Sequence, residues 1–196
     1  MRAMSTVDRA VASVGEAWAL RGEALAAAPA DPEASRAVAE RVRTRIGEAA
    51  AVFRGAGAHP ELVDALGKLG HLERDAGRQE AARSCCEEAV AVARDTGDPV
   101  VVAHAVRHLG DVHREAGRLA PAEACYEEAL ALYGPSGAGV ATLAHANALR
   151  PLAILKETRG RLGEARALWN RARTLYREAG IGAGVAECAD RLRRLG

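Results

Sequence analysis

One stretch of this chain carries residue types at a spacing that could do chemistry. His104, His108 and Asp111 stand at i, i+4 and i+7, so a helix would gather all three on one face. Imidazoles one turn apart beside a carboxylate can hold a divalent metal, and His71 could approach from a neighbouring helix. No HExxH glutamate accompanies them, and ordinary polar surface is the competing account. His113 and His145 read as plain helix positions. The adjacent thiols Cys85 and Cys86 invite a redox reading. Neighbouring helix residues point in different directions, however, and Cys86 falls in a packing position, where it reads as a small buried hydrophobe. Cys85 and Cys125 are expected to be partly exposed. The four cysteines show no CxxC or Cys/His zinc spacing. No nucleophile triad, paired-carboxylate signature or phosphate-binding loop is present, and Gly137-Ala138-Gly139 reads as a turn. No cofactor is expected.

The elements that must position these residues follow from composition. The chain has 196 residues, a formal charge of +1 and 49% hydrophobic residues, enough for one folded domain or a short repeat array. Of the hydrophobic residues 46 are Ala, while Phe, Trp and Tyr together number six. Such a set cannot build the bulky core of a β-sandwich but can pack helices closely. Charges of both signs are interspersed throughout, which argues against nucleic acid as a partner. Apolar runs fall far short of a bilayer span. Asp8, Arg9, Glu16, Arg21 and Glu23 leave no apolar leader at the N-terminus, so a cytoplasmic location and free thiols are expected.

Self-similarity is the main signal. Leu69-Gly70-His71-Leu72-Glu73-Arg74-Asp75-Ala76-Gly77-Arg78 recurs 40 residues later as Leu109-Gly110-Asp111-Val112-His113-Arg114-Glu115-Ala116-Gly117-Arg118. A looser copy, Leu152 to Arg161, follows after a further 43. Downstream, Ala82, Cys86, Ala89 and Val92 become Ala122, Tyr126, Ala129 and Leu132, then Ala165, Trp169, Ala172 and Leu175. Each copy reads as two helices separated by Gly77, Gly117 or Gly160. Backward extension yields a degenerate first helix pair over 5–58, with Asp31-Pro32 opening its second helix. The clear copies cover 60–98, 100–138 and 140–181. An apolar face of Val185, Cys188, Leu192 and Leu195 marks 183–195 as a capping helix, for nine helices in a complete chain. Pro151 should kink or break the first helix of the third copy, and with the extra residues at 134–140 should change the local curvature.

With its Leu-Gly in the first helix, its Ala eight to twelve residues on, and the aromatic slot of Tyr126 and Trp169, the chain resembles the tetratricopeptide repeat family. The 40-residue period is similar to the long-period branch, whose second helix is extended. Glu73, His113 and Lys156 replace the family's usual first-helix Tyr, and the closing Pro is displaced to Pro99 and Pro135. The resemblance implies an all-α, right-handed solenoid of antiparallel helix pairs whose first helices line a concave groove. Carried over by position, the groove residues are Asp64, His71, Arg74 and Asp75 from the first clear copy. The second supplies His104, Arg107, His108, Asp111, Arg114 and Glu115, and the third Asn147, Arg150, Ile154 and Glu157. The family's carboxylate clamp is absent, since its positions hold Gly67, His71, His108, Asn147 and Pro151.

The implied function is non-catalytic protein–protein recognition, with an unidentified protein or peptide segment in the groove. An alternative is a regulatory module, of the kind common in bacteria, acting by self-association or by docking onto a signalling or transcription protein. A metal-binding protein built on His104, His108 and Asp111 is the third reading.

Overall fold

The computed structural model of the protein describes residues 4–27, 31–134 and 140–196. Every regular element among them is an α-helix, and the fold class is that of an all-α helical-repeat solenoid. The chain divides into two compact units, Met1–Gly97 and Asp98–Gly196. No described helix is long and apolar enough to cross a membrane. The curvature expected around 134–140 falls on residues that lie mostly outside the described ones.

The first unit holds α1 (Thr6–Ala27), α2 (Pro32–Ala56), α3 (His59–Asp75) and α4 (Gln79–Thr96). Asp31 opens α2 by accepting the Ala34 N–H at 2.9 Å, and Pro32 occupies the first turn, where no N–H is needed. The buried faces of α1 and α2 meet through Val14, Ala17, Val42, Ile46 and Phe53. Helices α3 and α4 pack along Leu66, Leu72, Ala82, Cys86 and Ala89. Their crossing is tight: a Cβ at Gly70 would sit 2.7 Å from the Cys86 Sγ.

The second unit holds α5 (Pro99–Glu115), α6 (Leu119–Tyr133), α7 (Val140–Thr158), α8 (Leu162–Glu178) and α9 (Gly182–Arg194). Gly110 is needed where α5 crosses α6, because a Cβ there would meet the Tyr126 ring at 2.7 Å. Across α7 and α8, Ala153 takes the same place opposite Trp169, which is fully buried together with Ala165 and Ala172. Helix α9 lays Cys188 into that cluster, with Val185, Leu192 and Leu195 against its edge. Pro151 does not break α7, which runs unbroken from Val140 to Thr158.

One turn recurs within the three pairs α3–α4, α5–α6 and α7–α8. Gly77, Gly117 and Gly160 take φ of 74°, 74° and 72°, and the next residue donates its N–H back to Glu73, His113 or Lys156. This closes each first helix with a left-handed glycine and fixes the angle at which the second departs. The following Arg then reaches back. Arg78 pairs with Glu73 and with Glu40 at 2.7 Å, and the Arg118 Nε donates to the His113 Nδ1 at 3.0 Å. In the third copy Lys156, only 4% exposed, instead pairs with Glu123, with Glu164 at 3.3 Å and with Glu127 at 3.5 Å. Burial opposes the Lys156 charge, but hydrogen bonds to Glu123 and Glu164 outweigh it and raise its pKa.

His145 is not an ordinary helix position. It is 1% exposed and stacks on Tyr133 with centroids 5.9 Å apart, and among the described residues neither its ring nitrogens nor the Tyr133 hydroxyl meets a hydrogen-bond partner. Desolvation, and then the charge of Arg171, hold its pKa below the ordinary 6.5. The unfolded chain therefore binds the proton more readily, and the stability supplied by neutral His145 is lost as pH falls below about 6.5. A His145→Phe variant should show a flatter dependence of Tm on pH between about 7 and 5, measured by thermal unfolding. The helix crossings give a second test. Gly110→Ala should cost about 1–3 kcal/mol in urea unfolding, because its methyl overlaps the Tyr126 ring. Gly67→Ala on α3 meets nothing within 4 Å and should stabilise by up to about 1 kcal/mol.

Candidate functional site

The face of α5 carries a linked set of polar side chains. Its spacing brings His104 and His108 edge to face, with centroids 4.5 Å apart and Nε2 atoms 3.4 Å apart. Arg107 joins them. One guanidinium nitrogen lies 2.7 Å from the His108 Nε2, and the other pairs with the Asp111 Oδ2 at 3.0 Å. From α6, the Tyr126 hydroxyl donates to the Asp111 Oδ1 at 2.8 Å. Burial first, and then the Asp111 charge, push the Tyr126 pKa far up, so the phenol stays a neutral donor. His108 and Asp111 are buried, Arg107 and Arg114 are half-buried, and His104 and Glu115 are exposed. Asp111 thus serves as the anchor that orients Arg107, while His104 forms the outer edge.

Helix α7 adds a second polar stretch within the same unit. Asn147 is exposed and accepts the Tyr176 hydroxyl at 2.8 Å. Burial pushes the Tyr176 pKa up to about 12. Arg150 lies across to α9, where both Glu187 oxygens accept from its Nε at 2.9 and 2.8 Å. Ile154 and Glu157 serve the packing instead. Ile154 packs against the α7–α8 core, and Glu157 accepts from the Trp169 indole and from Arg191 at 3.2 Å.

In the first unit, α3 presents Asp64 paired with Lys68, and Asp75 paired with Arg21 of α1. His71 lies 6.2 Å from the Trp18 ring of α1, and Arg74 is half-buried. The repeat pattern did not single out Trp18, Arg21, Lys68, Glu187 or Tyr176 for this surface. Trp18 carried a signal in the apolar stripe of α1, whereas Glu187 gave none.

The thiols do not support redox chemistry. Cys86 and Cys188 are buried and Cys85 and Cys125 half-buried, and none of them is in a disulfide. Burial, and then nearby glutamates, raise the Cys85 pKa, and the Cys188 thiol is pushed up to about 11 mainly by burial. Among the described residues no group of three or more His, Cys, Asp or Glu is arranged to hold a metal ion.

The described helices pair in repeats and display a polar face whose side chains are oriented by buried groups. Residues 61–134 match the tetratricopeptide repeat model. That stretch carries the repeat of the tetratricopeptide family, whose members bind protein partners and are generally non-catalytic. No curated protein matches the sequence. Among solved structures, it is similar to the nearly identical TPR-like repeats of a Podosopora anserina protein described as a kinesin light chain. That match has 13% identity, covers 98% of this chain and 97% of that one, and gives a TM-score of 0.66. BtubC (BKLC) from P. vanneervenii is also similar, at 18% identity over 98% of this chain and 91% of that one, with a TM-score of 0.52. At such identities the likeness is one of fold.

The α5 geometry predicts how the histidine pair treats a metal. Nitrogens 3.4 Å apart suit two corners of a zinc tetrahedron, but the Arg107 guanidinium sits on the His108 Nε2. Zn²⁺ titration followed by calorimetry should give at most weak binding to the native protein. Arg107→Ala should uncover the pair and strengthen binding by about tenfold or more.

Proposed function

We propose that the protein is a non-catalytic scaffold that takes a peptide or helix of a partner protein along the exposed faces of its first helices. The observation that carries this reading is the α5 face. There a guanidinium fork is held by Asp111 and His108, with Arg114 one turn beyond Asp111's own level and His104 at the rim. In the same unit α7 contributes the oriented side chains of Asn147 and Arg150. Oriented Arg forks suit carboxylates and backbone carbonyls, and their fixed geometry lowers the entropy lost on binding. The balanced charge of the chain favours recognition by local pattern over long-range attraction.

The test is a pull-down with Arg107→Glu combined with Arg114→Glu. The double variant should lose its captured partner by about tenfold or more while keeping native helicity by circular dichroism. Recovery of the same partners at native levels would place recognition elsewhere.

A further inference from the structure

Within each unit, the second helix of one pair turns the same flank toward the pair that follows. Val42, Ala122 and Ala165 are equivalent buried positions, and the flank begins one residue after each. On α2 it carries Arg43, Ala50 and Arg54. Ala50 is buried, Arg43 lies 3.9 Å from Glu73 of α3, and Arg54 pairs with Glu88 of α4. On α6 it carries Glu123, which meets Lys156 of α7 and the Arg161 that precedes α8, and Leu130, which packs on the core beyond. On α8 the same positions hold Arg166, Arg173 and Arg177. Among the described residues only α9 follows α8, and it packs on the Trp169 and Tyr176 side through Cys188 and Gly184.

These three arginines stand at i, i+7 and i+11, which places them on one line about 16 Å long. Arg166 and Arg177 are exposed and Arg173 is half-buried. Arg166 donates to the Leu195 carbonyl at 2.6 Å and to that of Gly196. Arg173 donates to the Asn170 Oδ1 at 3.2 Å, while its Nε is enclosed and meets no acceptor among the described residues. None of the three pairs with an Asp or Glu among the described residues. The acids of α8 and α9 are engaged elsewhere: Glu164 with Arg161, Glu187 with Arg150, and Asp190 with Arg193 and Arg194. Glu178 stands about 100° round the helix from Arg177. A merely solvated face neutralises itself, as on α4, where Arg83 lies between Glu80 and Glu87. The α8 flank does not.

We infer that this flank of α8 docks an acidic helix of another protein, with carboxylates at i, i+7 and i+11 and small residues between them. The equivalent flanks of α2 and α6 already receive helices, and on both the contact is made by ion pairs around a small or apolar centre. Guanidinium forks suit carboxylates, and small residues over Asn170 let the two axes approach to about 8–10 Å. The macrodipoles do not decide the direction. An incoming helix parallel to α8 is antiparallel to α9, so the repulsion of one offsets the attraction of the other. The order of the spacings, seven and then four, sets it instead. This surface belongs to a second helix and is separate from the first-helix faces assigned to recognition above.

The probe is a fluorescein-labelled, Ala-rich peptide of 16 residues with Glu at positions 3, 10 and 14 and Gln on its far face. A control of the same composition has Glu at positions 3, 8 and 13, which spreads the charges round the helix. In fluorescence anisotropy at low salt the first peptide should bind saturably and about tenfold more tightly than the control. Arg173→Glu and Arg177→Glu should each weaken it by about fivefold or more. Arg177 is exposed, so its variant reads the flank independently of any loss of folding in Arg173→Glu, and circular dichroism checks both. Arg171→Glu makes the same charge change on another face of α8 and should leave the affinity within about twofold. Absence of saturable binding, equal affinity for the two peptides, native affinity in Arg177→Glu, or an equal loss in Arg171→Glu would overturn the assignment. So would self-association in sedimentation that Arg177→Glu abolishes, since the occupant would then be a second copy of this chain.

Discussion

Everything in this fold depends on how closely the two helices of a pair can approach. Where α3 crosses α4, α5 crosses α6 and α8 crosses α9, a glycine gives up its side chain so that the facing residue can be buried. Gly70 faces Cys86, Gly110 faces Tyr126 and Gly184 faces Tyr176, where a Cβ would come within 2.5 to 2.7 Å of the facing atoms. Ala153 opposite Trp169 is the variant that keeps a methyl. Dispersion rises steeply as the gap closes, so a crossing without voids holds the pair together even with few large residues. The abundance of Ala follows: Ala82, Ala122 and Ala165 are fully buried at equivalent positions, as Ala129 and Ala172 are two turns on.

The same constraint explains what could be read from the sequence. Small-to-large crossings and left-handed glycines are local, repeat in register and show up as self-similarity, so helix pairs and their turns were legible. Partners brought together across a turn or from another helix were not. Glu73, His113 and Lys156 looked only like departures from the family's Tyr. In the structure Glu73 and His113 meet the Arg five residues on, while Lys156 meets Glu123 on α6. His145 gave no signal, because burial is set by what packs over a position and not by its neighbours in sequence. Pro151 seemed fit to break α7. A proline removes one donor and crowds one carbonyl, and in a helix packed on both α5 and α8 that loss is tolerated without interruption.

Of the 27 basic residues all but Lys68 and Lys156 are Arg, and this excess has a partial cause. Arg78 forks between Glu73 and Glu40, Arg83 between Glu80 and Glu87, and Arg161 between Glu164 and Glu123. A planar fork reaches two carboxylates at once, which a point charge does less well. These pairs are mostly exposed and add little stability each. Their contribution is to fix side-chain direction at the seams. Arg41 and Arg177 are exposed and form no such fork, so this cause covers only part of the excess.

The polar face and the packing seam are therefore not separate in this molecule. Asp111 accepts from both Arg107 and Tyr126, so it ties the orientation of a surface fork to the α5–α6 crossing. Glu157 likewise serves the Trp169 indole while lying among the positions assigned to recognition. Removing either carboxylate would orphan a buried donor and release a surface group together, and a loss of binding could not be apportioned between the two. Arg150 stands farther out, with its side chain 45% exposed, whereas Arg107 is nearly as enclosed as the Asp111 it pairs with. On a scaffold with so few large side chains, recognition must be built from residues that the crossings have already placed. Such a surface can change its specificity through outer Arg and His positions while Gly, Ala and the buried carboxylates stay fixed.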